Sequence, residues 1–142
     1  MYVASSFVTF SIRQPYLKAL HLVRRTLDQN GLRLPAELDV DLRIKRELGV
    51  NGAPRTILFV DDPELLLEGI VFHCASAVGI PQPVVVPGND RTAEVFVRGA
   101  KTGPEGRFSA TVHTPVLELE ERIVGVIETI GDREEPSFFM TY

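Results

Sequence analysis

Acids and a histidine–cysteine pair are where this chain could do chemistry. Asp61-Asp62 stand together at the end of an apolar run, Asp39 opens a helical pattern further upstream, and His73-Cys74 lie inside a later one. Two carboxylates can divide acid and base roles when their surroundings push their pKa values apart. A cysteine and a histidine can act as nucleophile and base when their side chains come within hydrogen-bond reach. Adjacent positions meet neither need, because neighbours on a strand point to opposite faces and neighbours on a helix diverge by about 100°. Asp39 and Asp62 are better placed. Each follows an extended segment and precedes a helix, the position at which α/β sheets gather ligands beyond the carboxyl ends of their strands. Asp39, Asp62 and His73 therefore form the candidate ligand pocket, with no catalytic residue assigned. His21, His73 and His113 fall on separate elements without metal-ligand spacing, and one cysteine can build neither an intrachain disulfide nor a thiolate cluster, so no metal or other cofactor is expected.

The elements that must position these residues read in order. Residues 2–12 alternate with a period of two and predict a strand. Pro15 opens a helix with Leu17, Leu20, Val23 and Leu27 on one face, stopped by Asn30-Gly31. An extended piece over 32–38 leads to Asp39 as a cap, a helix bearing Leu42, Ile44 and Leu48, and Gly49 as its end. Residues 55–61 are apolar enough for a central strand. Asp62-Pro63-Glu64 then starts a third helix that runs to about residue 79. A hairpin follows over 83–87 and 92–98, then a strand over 107–114 and a last helix carrying Val116, Leu119, Ile123, Val126, Ile127 and Ile130. Glu118, Glu120 and Glu121 crowd its first turn, where the helix dipole favours acids.

The order β-α-β-α-β-α-β-β-β-α predicts an α+β fold of two layers, a mixed sheet with helices mainly on one face. If the strands over 55–61 and 83–87 run parallel, Asp62 and Gln82 stand at opposite edges of that sheet. On the third helix, Leu66, Leu67, Ile70, Val71 and Cys74 form the expected core face. Leu65 and Phe72 fall on the other side among Glu64, Glu68 and His73, which makes them the candidate dimer contact.

Composition bounds the function. One domain spanning 1–142 suits the length, with 44% hydrophobic and 24% charged residues. Residues 1–55 carry nine basic and five acidic side chains, whereas 56–142 carry six and fourteen, leaving the chain at −4. That acidic balance argues against nucleic acid, and Arg24-Arg25 and Arg43 to Arg46 read as solvated helix faces. No apolar run is long enough to span a membrane and no secretory leader is apparent, so a cytoplasmic location without a membrane partner is expected.

The succession Gly31-Leu32, Asp39-Val40, Leu48-Gly49, Pro63 and Ile80-Pro81 resembles the domain of unknown function 302 family, with residues 1–131 as the family-like part. The resemblance implies a small soluble α+β homodimer with no assigned activity. Where the family often has Asn before the helix-opening proline and Cys after the later one, this chain has Asp62 and Gln82. Asp caps as well as Asn does. Gln82 carries no thiol, so no cysteine role transfers.

Residues 132–142, with Phe138-Phe139-Met140, are expected to pack on their own or a partner subunit. The function is unknown from sequence. The expected class is a non-catalytic domain that binds a small molecule or a protein as a homodimer. The alternative is a small enzyme whose site, at strand ends or a dimer interface, uses Asp39 and Asp62.

Overall fold

Alternating apolar side chains build a sheet, and single-faced helices cover one side of it. The structure is a computed structural model that describes residues 7–72, 79–98 and 114–134. Its elements are β1 (Phe7–Ile12), α1 (Tyr16–Gln29), β2 (Arg33–Asp39), α2 (Val40–Leu48), β3 (Arg55–Asp61), α3 (Pro63–Phe72), β4 (Gln82–Pro87), β5 (Ala93–Arg98), α4 (Thr114–Ile127) and β6 (Asp132–Arg133). Of the strand expected over 107–114, residues 107–113 lie outside the described residues, as do His73 and Cys74, while Thr114 opens α4.

The six strands form one open sheet in the order β2-β3-β4-β5-β1-β6. The α+β class and the helix layer are as expected, but every pairing between described strands is antiparallel where a mixed sheet was anticipated. The reason lies in the segment between β3 and β4. A helix between two strands usually marks a parallel crossover, yet here the chain goes out and returns to the same end of the sheet, pairing Val60 with Gln82.

Thr56, Leu58 and Val60 of β3, Val84 and Val86 of β4, Val95 and Val97 of β5, and Phe10 and Ile12 of β1 all turn to the helix layer and are buried. They meet Leu20, Val23 and Leu27 of α1, Leu65 of α3, and Leu119, Ile123 and Ile127 of α4 in one core. Gly31 and Gly49 take left-handed φ values of 84° and 71°, the conformation that ends a helix without a Cβ clash. Leu17, expected in the core, is exposed, and Ala19 takes the buried place. No residue of α2 is buried.

Helix α3 is turned differently from expectation. Leu65, expected outside, is 4% exposed in the core, while Leu67, Ile70 and Val71, expected inside, are 61%, 51% and 60% exposed. Composition could not set the phase because apolar residues surround this helix on nearly every side. The cap sets it. Asp62 accepts from the Glu64 N–H at 2.8 Å and from Arg122 of α4, fixing how the helix leaves the sheet. The side chain of Phe72 lies outside the described residues.

Candidate functional site

Buried polar residues collect at one end of the sheet. Asp61 and Asp62 close β3, Gln82 opens β4 opposite Val60, and Arg33 opens β2 opposite Asp61. Arg98 ends β5, opposite Phe7 at the start of β1. Antiparallel pairing places all of these at one edge. Asp61, Asp62, Gln82 and Glu120 of α4 are all buried.

Asp62 is fully engaged. One carboxylate oxygen caps α3, the other accepts from Arg122, and Arg122 also donates to the Asn30 carbonyl at 3.2 Å, so this pair ties α1, α3 and α4 together. Burial pushes the Asp61 carboxyl up, against the opposing pull of Arg33. Gln82 donates from Nε2 to the Gly79 carbonyl, while its Oε1 is buried with no hydrogen-bond partner among the described residues. An unfilled acceptor in the interior costs its hydration without return, on the order of 1–3 kcal/mol.

Glu120 is the residue that sequence reasoning missed. Burial pushes its carboxyl up to about 7, opposed by the charge of Arg98. It is therefore about half protonated near pH 7, where an ordinary glutamate is ionised. The signal was present: α4 starts at Thr114, so Glu120 is beyond the first turn, and helical spacing puts it one turn from Val116 on the face that carries Ile123 and Ile127. Val116 packs against the backbone beside Gln82, since a Cβ built on Gly79 would lie 2.8 Å from Val116 Cγ2.

The expected Asp39–Asp62–His73 pocket does not assemble from the described residues. Asp39 pairs with Thr56 at the opposite end of β3, about 20 Å from Asp62 at ~3.3 Å per residue. There Asp39 caps α2 by accepting from the Leu42 N–H at 2.9 Å. Both aspartates are thus helix caps at opposite ends of one strand. Burial raises the nearby Tyr16 hydroxyl, which is hydrogen-bonded to Thr56. Two open depressions of about 450 and 500 Å³ run along α1 and share His21 and Arg25, and neither is lined by Asp39 or Asp62. Among the described residues, no group of three His, Cys, Asp or Glu side chains could hold a metal ion. None of the described helices is long and apolar enough to cross a membrane.

The middle of the other face of the sheet is apolar, with Arg55, Glu94 and Ser11 toward one end and Asp61 and Arg98 toward the other. Register aligns Leu38, Ile57, Val85, Phe96 and Thr9 as one row across five strands, each opposite the next. A second row contains Ala36, Phe59 and Pro83, with Arg98 and Phe7 at its far end.

These features define an α+β domain with a helix layer on one face of an open antiparallel sheet. The same fold is found in the crystal structure of the uncharacterised conserved protein DUF302 from Bacillus stearothermophilus. That structure has a TM-score of 0.75 and 16% identity, with coverage of 89% of this chain and 99% of that one. At that identity the likeness is one of fold. No family model matches the chain, and no curated protein matches it.

Proposed function

We propose that this domain is an interaction module that pairs with a second copy of itself through the outer side of α3. One observation carries the reading: a helix that is apolar all round is covered all round in a stable protein, yet α3 buries Leu65 and leaves Leu67 and Val71 more than half exposed. Ile70 lies on the same side at helical spacing and is 51% exposed. A twofold pairing makes each of these side chains count twice, because the same patch meets itself. Fully burying an exposed Leu or Val side chain contributes about 1.5–3 kcal/mol, and these, already partly covered, would each contribute roughly half of that toward the cost of association. The candidate contact thus stays on α3 but moves from Leu65 to the opposite face.

No catalytic role is included. The two carboxylates of the enzyme reading stand at opposite ends of β3, and both are occupied as caps. The test is the solution mass across a range of concentrations. Wild type is expected to run as a dimer, and Leu67→Glu with Val71→Glu as a monomer with an unchanged circular dichroism spectrum. A wild-type monomer at every concentration, or a double variant that stays dimeric, would overturn the proposal.

A further inference from the structure

We infer that the outer side of α1 is a docking surface for an acidic, amphipathic helix of a partner protein. Lys18, His21 and Arg25 follow one another at spacings of three and four residues, so they stand in one row along the helix. That row faces away from the core. Ala19, Leu20, Val23 and Leu27 of the same helix are buried, whereas Lys18, His21 and Arg25 are all exposed.

Ion pairing divides the cations of this surface into two kinds. Arg24 donates to both carboxylate oxygens of Glu37 at 2.7 Å, and Arg33 pairs with Asp28 at 3.4 Å. These two answer the domain's own acids. Lys18 and Arg25 have no such ion pair among the described residues. The chain as a whole carries −4, so its unanswered positive charge on this ridge draws an acidic partner here and its net charge discourages that partner elsewhere.

The shape favours a protein segment over a small molecule. The two depressions that share His21 and Arg25 are open and continue one another along α1, lined from Gln14 at one end to Asp28 at the other. That is about 21 Å at ~1.5 Å per residue. A small ligand is held where most of its surface is enclosed, which an open trough does not offer, but a helix laid alongside follows it throughout. Lys18 and Arg25 are separated by about 10 Å along the axis, the separation of two carboxylates seven residues apart on a second helix. Leu17, 73% exposed, and the partly buried Leu22 flank the row on its two sides and supply the apolar contact. The partner is thereby specified as a helix with acids at seven-residue spacing and apolar side chains beside them. Two unanswered cations are too few for a nucleic acid, whose binding gathers on the order of six or more phosphate contacts. α4 packs against both α1 and α3, so this row is on a different helix from the patch that pairs two copies.

The experiment titrates the isotopically labelled full chain with a synthetic helical peptide of about 18 residues that carries Glu at seven-residue spacing and Leu beside each, and separately with the same peptide bearing Lys for Glu. Amide shift changes are expected to centre on residues 14–25 with the Glu peptide and to be absent with the Lys peptide. The dissociation constant is expected to rise about tenfold or more between low salt and ~0.5 M NaCl. Lys18→Glu with Arg25→Glu should weaken binding about tenfold or more with an unchanged circular dichroism spectrum, while Arg46→Glu, equally exposed on α2, should leave it unaltered. No binding, shift changes centred away from α1, or equal losses in the two variants would overturn the inference. Sodium phosphate producing the same shift changes at the same concentration would also overturn it, in favour of a site for small anions.

Discussion

Glu120 has the most to say about pH. Its carboxyl is raised from 4.5 to about 7 by burial, so the unfolded chain gives up that proton more readily than the folded one. Stability from this group is fully present below about 4.5 and is lost as pH climbs through 7. Glu120→Gln keeps the shape and cannot ionise. It is expected to flatten the pH dependence and to gain about 3 kcal/mol over wild type at pH 8, at ~1.4 kcal/mol per unit. Urea unfolding of both proteins at pH 5 and pH 8 measures this, and equal slopes against pH would remove Glu120 as the cause. Asp62 gives a second prediction. Asp62→Asn retains the cap and loses the partly exposed pairing with Arg122, for a cost of about 1 kcal/mol or less, whereas Asp62→Ala loses both, for about 2 kcal/mol. Denaturant midpoints of the two variants separate cap from charge. At this scale the caps were legible, because Asp39, Gly49 and Asp62 act on backbone two or three residues away. Gln82 was not, because what buries it comes from elements distant in sequence, and Glu120 was legible only through its helical spacing from Val116 and Ile123 once the start of α4 is placed.

Among the elements, α1 and α3 mark the range of what a helical pattern can tell. α1 alternates apolar and charged positions firmly enough that Leu20, Val23 and Leu27 were placed in the core correctly, with Leu17 the one error at its exposed start. α3 has only Glu64 and Glu68 as polar markers after its cap, so its phase came from Asp62 and Arg122 rather than from its own residues. That difference is measurable. Leu65→Ala should cost about 2–5 kcal/mol as a core truncation, while Leu67→Ala should alter the stability of a single copy by no more than about 0.5 kcal/mol. Reversed values would restore the original assignment of the two faces. The packing of α4 on the turn before β4 is equally specific: a Cβ on Gly79 meets Val116 Cγ2 at 2.8 Å and Cγ1 at 3.3 Å. Gly79→Ala is therefore expected to destabilise by about 1–3 kcal/mol. Adding Val116→Ala should return less than the sum of the two single costs, since the smaller side chain makes room. A fully additive thermal or urea cycle would show that the contact carries no strain.

For the molecule as a whole, the sequence was informative about covering and silent about what does the covering. The runs over 55–61 and 83–87 are apolar at successive positions, the pattern of strands buried on both faces. Only the face toward α1, α3 and α4 is covered among the described residues. The antiparallel order explains why the expected pocket failed: reversing direction at each strand sends Asp39 and Asp62 to opposite ends and brings Asp62, Gln82 and Glu120 to one. It also leaves two apolar surfaces on opposite sides of the domain, the outer side of α3 and the outer face of the sheet. Surfaces separated by the thickness of a helix-on-sheet layer should respond independently, since changes more than about 7–10 Å apart without shared partners usually add. Leu67→Glu with Val71→Glu should abolish pairing of two copies, read as the solution mass. Val85→Lys, on the outer face of the sheet, should leave that mass unchanged. Loss of pairing in both variants would mean that the two surfaces are one interface, reached through a partner that wraps from the helix layer to the sheet.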